Sequence, residues 1–370
     1  MIQALHIRQC QALTPINERY ETLRHIVASL MMSLALSAPG AAVLASEGCF
    51  RGINLSGAEF GKPGGLVNKD YTWPSSETIG YFAGKGFDTI RLPFMWERLQ
   101  PKLGGEFDAG ELNRLRESVA LIRSFGMRVI LDPHNYARYH GKVIGSASVP
   151  ESAFADLWRR LAELYKNDDQ VIFGLMNEPY QMPIAQWLSA ANAATAAIRT
   201  AGAKNLVLVP GTAWSGAHSW MVPIDGEPNG VAMARIVDPG NNFAYEVHQY
   251  TDDDFSGTKD NCSRVADATK ALKEFTGWLK QTGNRGFLGE FGVPAPDQCV
   301  KGLKDMVDVV EENKDVWTGW TYWVAGDWWP ETEMLNIQPT KSGDRPQLEG
   351  LKAALGDFSA EGKSCPALER

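Results

Sequence analysis

Two glutamates in this chain stand where paired acid and nucleophile chemistry is possible. Glu178 follows the apolar run Val171 to Met176, and Glu290 closes the run beginning at Gly286. If such runs are strands of one sheet, their ends meet and the two carboxyls face each other. One carboxyl can then donate a proton to a leaving oxygen while the other attacks the carbon, the division of labour that cleaves a glycosidic bond. The ends of the neighbouring runs gather Arg91, His134 with Asn135, Asn177, His248 with Tyr250, and Trp323. Taken singly, an arginine is more often an ion-pair partner and a histidine more often a satisfied core residue. Their recurrence at run ends is the signal. Arg91 beside Glu290 is expected to hold that carboxylate ionised, and the charge of Glu290 with partial burial is expected to raise Glu178, so that the pair splits into base and acid.

The elements that must position these groups are eight apolar, β-rich runs: Phe50 to Leu55, Phe87 to Leu92, Met127 to Asp132, Val171 to Met176, Leu206 to Val209, Phe243 to Val247, Gly286 to Gly289 and Val316 to Trp323. Several lack period-two alternation, as expected of parallel strands covered on both faces. Helical patterns fill most gaps. Leu112, Leu115, Val119 and Ile122 share one face; Phe154, Leu157, Trp158 and Leu161 share another after Pro150; and Pro183 opens a third, through Ile184, Trp187, Leu188 and Ala191, that Gly202 closes. Trp214 to Asn242 shows glycine, proline and small residues without a helical stripe, and Leu348 to Leu355 can be the final helix. Eight strand-helix units in one chain predict a single-domain α/β fold, the (β/α)8 TIM barrel, whose active site lies at the C-terminal strand ends.

Composition narrows the class. The 370 residues hold 44% hydrophobic and 22% charged residues with a formal charge of −8, which fits neither a disordered polyelectrolyte nor a nucleic-acid binder. Twelve Trp against ten Tyr offer flat rings for stacking ligands. Arg24 and His25, then Ile26 to Leu36, then small residues at Val43 to Ala45, read as a secretory signal within a leader of residues 1–45, leaving 46–370 as the catalytic domain, secreted to an extracellular or periplasmic space. Nothing approaches the roughly 20 apolar residues of a membrane span. Without Cys10 the chain has Cys49, Cys262, Cys299 and Cys365, which allow three pairings; disulfides are favoured over zinc, with Cys262–Cys299 and Cys49–Cys365 the preferred set. Asp132, His134 and His248 could be metal ligands, but no H-x-H or H-E-x-x-H spacing occurs, so neither metal nor cofactor is expected. Asp252-Asp253-Asp254 reads as a solvated loop rather than a calcium loop.

Seven segments together resemble the successive motifs of glycoside hydrolase family 5: Arg51-Gly-Ile-Asn-Leu-Ser-Gly57, Arg91-Leu-Pro-Phe94, Asp132-Pro-His-Asn-Tyr136, Val171 to Pro179 with its Asn-Glu-Pro, Val247-His-Gln-Tyr250, Leu288-Gly-Glu-Phe-Gly292 and Thr321-Tyr-Trp323. The likeness runs from about Arg51 to Gly326 and is strongest to the secreted endo-β-1,4-glucanases. It implies retaining hydrolysis of a β-glucan, with Glu178 as acid/base and Glu290 as nucleophile. Asn177 would bind the sugar 2-hydroxyl, and Arg91 and Tyr250 would orient Glu290. His134 and His248 would line the subsite under attack, and Trp323 would provide its stacking platform. Trp214, Trp328 and Trp329 become candidates for neighbouring subsites, and Cys262 with Cys299 falls where that branch joins two loops by a disulfide. A monomer acting on polysaccharide is expected. The competing readings are a β-mannanase, xyloglucanase or mixed-linkage β-glucanase of the same fold, and, further off, a carbohydrate-binding barrel without catalysis.

Overall fold

The computed structural model describes residues 48–356 and 364–369; the expected leader over 1–45 lies outside the described residues. Eight parallel strands follow one another around a closed barrel: β1 (Phe50–Leu55), β2 (Thr89–Phe94), β3 (Arg128–Pro133), β4 (Val171–Gly174), β5 (Val207–Pro210), β6 (Phe243–His248), β7 (Gly286–Glu290) and β8 (Trp317–Ala325). Closure is made by β8 on β1, where Phe50 pairs with Gly319 and Ile53 with Tyr322. Every strand begins within three residues of its sequence-expected start.

Seven helices of nine residues or more cover the outside: α1 (Ser76–Gly84), α2 (Ala109–Ser124), α3 (Glu151–Tyr165), α4 (Ile184–Thr200), α5 (Val265–Thr282), α6 (Asp297–Glu311) and α7 (Gln347–Leu355). Ser75 caps α1 by accepting from the Thr78 N–H at 3.2 Å, and Asp108 caps α2 by accepting from the Glu111 N–H at 2.9 Å; each such cap stabilises by about 1 kcal/mol. Between β5 and β6 there is no full helix. The chain makes short helical turns at Ala213–Ser215, Ala217–Ser219, Asn229–Ala232 and Met233–Arg235. This is the stretch whose sequence lacks an apolar stripe, so no face exists to lay a longer helix on the barrel.

Two separate cores follow from strand alternation. The larger lies between strands and helices and includes Ile53, Leu131, Trp158, Trp187, Trp220, Leu288 and Trp320. The smaller, with Phe50, Ile130, Ile172, Leu208, Ala244 and Phe287, fills the barrel axis. One pleat nearer the C-terminal ends, the inward positions become Arg91, Asp132, Gly174, Glu246 and Gly289, so the axial core changes from hydrocarbon to buried charge just below the site. Cys49 is bonded to Cys365 and Cys262 to Cys299. Among the described residues no helix is long and apolar enough to cross a membrane.

Candidate active site

The C-terminal strand ends open into a cleft of about 810 Å³, lined by Glu178, Glu290, His134, His248, Tyr250, Trp214 and Trp323, among others. Glu290 ends β7. Its Oε1 accepts from Arg91 Nη1 at 2.9 Å and its Oε2 from the Tyr250 hydroxyl at 2.8 Å. Glu178 lies four residues past β4 in a left-handed backbone conformation, φ 42°, which a non-glycine residue adopts at a cost. Its Oε1 meets His248 Nδ1 at 2.8 Å, and His248 Nδ1 is also 3.5 Å from Glu290 Oε2. An oxygen of Glu178, an oxygen of Glu290 and a nitrogen of His248 all lie within 4.8 Å of one another.

Arg91 organises the floor. It is fully buried, and its Nη1 reaches Asn54 Oδ1 at 2.9 Å and Asp132 Oδ2 at 3.0 Å as well as Glu290, while Nη2 donates to Asn177 Oδ1 at 2.9 Å. That last bond turns the Asn177 amide so that its Nδ2, buried, has no hydrogen-bond partner among the described residues. A buried donor left without a partner is a costly arrangement. Asp132 also holds His134 Nδ1 at 2.7 Å, and the His134 ring stacks against Trp323 with centroids 5.5 Å apart and planes 17° apart.

Electrostatics sort these groups. Burial alone would push the His248 imidazolium down, but Glu290, Glu178 and Glu246 outweigh it and raise His248 to about 10. Burial also pushes Glu290 up, reinforced by Glu178 and opposed by His248 and Arg91. Arg91 favours the ionised form of Glu290, the direction expected from the sequence, but it divides its charge among Asp132, Glu246 and Glu290 and burial outweighs it. Asp132 is buried too, yet Arg91 and His134 bring it below the ordinary carboxylate value.

Not every expected residue reaches the cleft. Asn135 accepts from the Trp96 N–H at 2.8 Å and donates to Glu97, so it ties the loop after β3 to the helical turn after β2 and does not line the cavity. Arg91 and Asn177 act from beneath the cavity wall. Trp329 lines the cleft and Trp328 does not. Trp214 is 46% exposed and stacks on Tyr180 with centroids 4.9 Å apart, while the Arg138 guanidinium covers Tyr180 at 4.0 Å. Asp252 departs from the expected solvated loop: it is buried and accepts from Ser256 and from the N–H groups of Gly257, Thr258 and Lys259. Sequence reasoning missed Tyr136, His218 and Phe255, which also line the cleft, and His218 stacks on Phe255 at 4.4 Å.

A closed eight-stranded barrel with two facing carboxyls at its mouth, one braced by Arg91 and Tyr250 and the other by His248, defines a barrel glycoside hydrolase. The chain belongs to glycosyl hydrolase family 5: the family model described as Cellulase (glycosyl hydrolase family 5) matches residues 46–326. It is 36% identical over 294 residues to Endo-beta-1,4-glucanase B of Emericella nidulans, covering 79% of this chain and 86% of that protein. Among solved structures it is similar to an endo-beta-1,4-glucanase from Xanthomonas axonopodis pv. citri, with 47% identity, a TM-score of 0.82, and coverage of 84% of this chain and 100% of that one. A further match is XacCel5A in complex with cellopentaose, at 47% identity, TM-score 0.81, and coverage of 85% and 100%.

Proposed function

We propose that this protein is a retaining endo-β-1,4-glucanase that cleaves internal bonds of cellulose or related β-glucans, with Glu290 as nucleophile and Glu178 as acid/base. The observation that carries this reading is the carboxyl pair: an oxygen of each lies within 4.8 Å of the other, which favours the spacing of about 5 to 5.5 Å that suits direct attack on the sugar over the about 6.5 to 9.5 Å of an inverting enzyme. In the first step Glu178 gives a proton to the glycosidic oxygen while a Glu290 oxygen bonds to the anomeric carbon and the leaving chain departs. In the second, Glu178 takes a proton from water, whose oxygen displaces Glu290 and restores the β configuration. The His248 ring, which burial pushes down and Glu290, Glu178 and Glu246 together push up to about 10, lies 2.8 Å from Glu178. Arg91 and Tyr250 hold Glu290 so that its oxygens cannot rotate away from the attack line. Trp323, backed by His134, offers a flat face to a sugar ring, and Trp214, backed by Tyr180 and Arg138, offers another further along the cleft.

The endo reading rests on the activity named for the relatives and on aromatic faces at both Trp323 and Trp214 in one cleft. Two disulfides and the signal-like run within residues 1–45 support export from the cell. A panel of carboxymethyl cellulose, lichenan, glucomannan and xyloglucan tests the substrate. Fast viscosity loss on carboxymethyl cellulose, absent in Glu178→Gln, is expected; turnover of glucomannan or xyloglucan alone would overturn the assignment.

A further inference from the structure

Glu246 is a buried acid that the mechanism above does not use. It lies on β6 two residues before His248, so both side chains point into the barrel. Its Oε1 is 3.0 Å from Arg91 Nε, an ion contact without the alignment of a hydrogen bond, and 3.4 Å from His248 Nε2. Its Oε2 is buried with no hydrogen-bond partner among the described residues. A buried carboxylate so poorly bonded costs stability unless cations compensate it. The fold also makes room for it. A Cβ on Gly289, the residue before Glu290, would lie 2.2 Å from Glu246 Oε1, so any side chain there would displace the acid.

We propose that Glu246 is a positioning residue for both reacting carboxyls, acting on Glu290 through Arg91 and on Glu178 through His248. This deepens the proposed function and rests on its assignment of Glu178 and Glu290. Arg91 has one positive charge for three carboxylates, Asp132, Glu246 and Glu290, so the second cation that Glu246 requires is a doubly protonated His248. With Nε2–H turned toward Glu246, Nδ1–H is aimed at Glu178, and the ring cannot flip without losing both contacts. On its other side Glu246 draws the Nε edge of Arg91 toward itself by charge, while Nη1 meets Glu290 and Nη2 meets Asn177. One buried charge therefore fixes the orientation of the group touching each reacting carboxyl. The ionisable groups facing this centre are Arg91 from β2, Asp132 from β3 with His134 just after it, Glu178 from the loop after β4, His248 from β6 itself, Tyr250 just after β6 and Glu290 from β7.

Glu246→Gln keeps the shape and removes the charge. In the Ser-His-Asp triad, replacing the buried acid behind the imidazole by its amide costs about 10⁴ in kcat; with the looser contact here, kcat should fall at least about tenfold while KM changes little. Loss of a negative charge should move both limbs of the kcat/KM pH profile to lower pH, which loss of packing alone would not do. Nitrogen-15 NMR of the ring nitrogens in the whole wild-type protein at pH 7 should find protons on both nitrogens of His248, a reading that needs no variant to fold. A bare Nε2 in the wild type, or Glu246→Gln with wild-type kcat and an unmoved pH profile, would overturn the proposal. Glu178→Gln and Glu290→Gln made alongside separate the two failures: if they are inactive while Glu246→Gln is unchanged, the mechanism stands without Glu246; if they remain active, the mechanism itself fails.

Discussion

Glu178 and Glu290 are alike in type and adjacent in space, and their partners make them different. Glu290 is held through both oxygens and buried, whereas Glu178 is partly exposed in the cleft on a left-handed backbone with His248 on one oxygen. Glu178→Gln and Glu290→Gln should each lower kcat by about 10³-fold or more on a carboxymethyl cellulose assay. Azide should revive Glu290→Gly with an inverted product and leave a distant variant such as Glu163→Gln unaffected. Retention of wild-type kcat in either glutamine variant would remove that residue from its role. His248 supplies a stability prediction. Its folded pKa, about 10, is raised above the unfolded value, so its contribution is complete below pH ~6.5 and is lost as pH rises through about 10. The urea midpoint should fall across that window in the wild type and fall less in His248→Asn; equal slopes would contradict the assignment. At this scale the sequence was readable wherever a polar residue ended an apolar run. Asp132 and Glu246 were legible by the same alternation, since each precedes a histidine by two residues, but Glu246 falls inside a run and so did not mark an end. Asn135 was over-read, because one residue past His134 the chain has already turned toward Trp96 and Glu97. His218 and Phe255 belong to loops, where no periodicity says which way a side chain points.

The loop after β6 shows how an element supports the site from outside it. Asp252 gathers three consecutive N–H groups, and this turn brings Gly257, at φ +70°, against Tyr250, where a Cβ would lie 2.6 Å from the ring. The turn thus backs the tyrosine that holds Glu290. Cys262 ends the loop and anchors it to Cys299 in the first turn of α6, closing a span of 37 residues. In the chain-entropy model that closure stabilises by about 4 kcal/mol. Cys262→Ser/Cys299→Ser should therefore lower the unfolding free energy by up to about that amount and lower kcat with it, measured by urea unfolding and initial rates. Unchanged stability would show that Asp252 and the loop's other contacts hold it without the disulfide. Strands and helices with strong apolar patterns were legible because burial writes its period into the sequence. The segment between β5 and β6 was not, because its short turns are set by contacts such as Asn229 Oδ1 to the Thr212 N–H at 2.9 Å, which leave no periodic trace.

Across the whole molecule the two ends of the barrel do different work. At the N-terminal end Cys49, just before β1, is bonded to Cys365, and Arg285 Nη1 donates to the Ala367 carbonyl at 3.2 Å, so the chain's last described turn seals the barrel floor beneath Phe50 and Phe287. At the other end the axial core gives way to Arg91 and its carboxylates, and the cleft opens above them. This polarity was legible in outline, since the eight runs and their polar ends predict a barrel with one chemical face. The charge balance beneath that face was not, because it depends on which inward residues become neighbours once the barrel closes. In the proposed mechanism Glu290 attacks the sugar directly, and product stereochemistry reads that without any substitution. Proton NMR of a fresh cello-oligosaccharide digest should show the β-anomer at the new reducing end before mutarotation, the outcome of two inversions. The α-anomer appearing first would mean a single inversion by water, and would contradict the nucleophile role of Glu290.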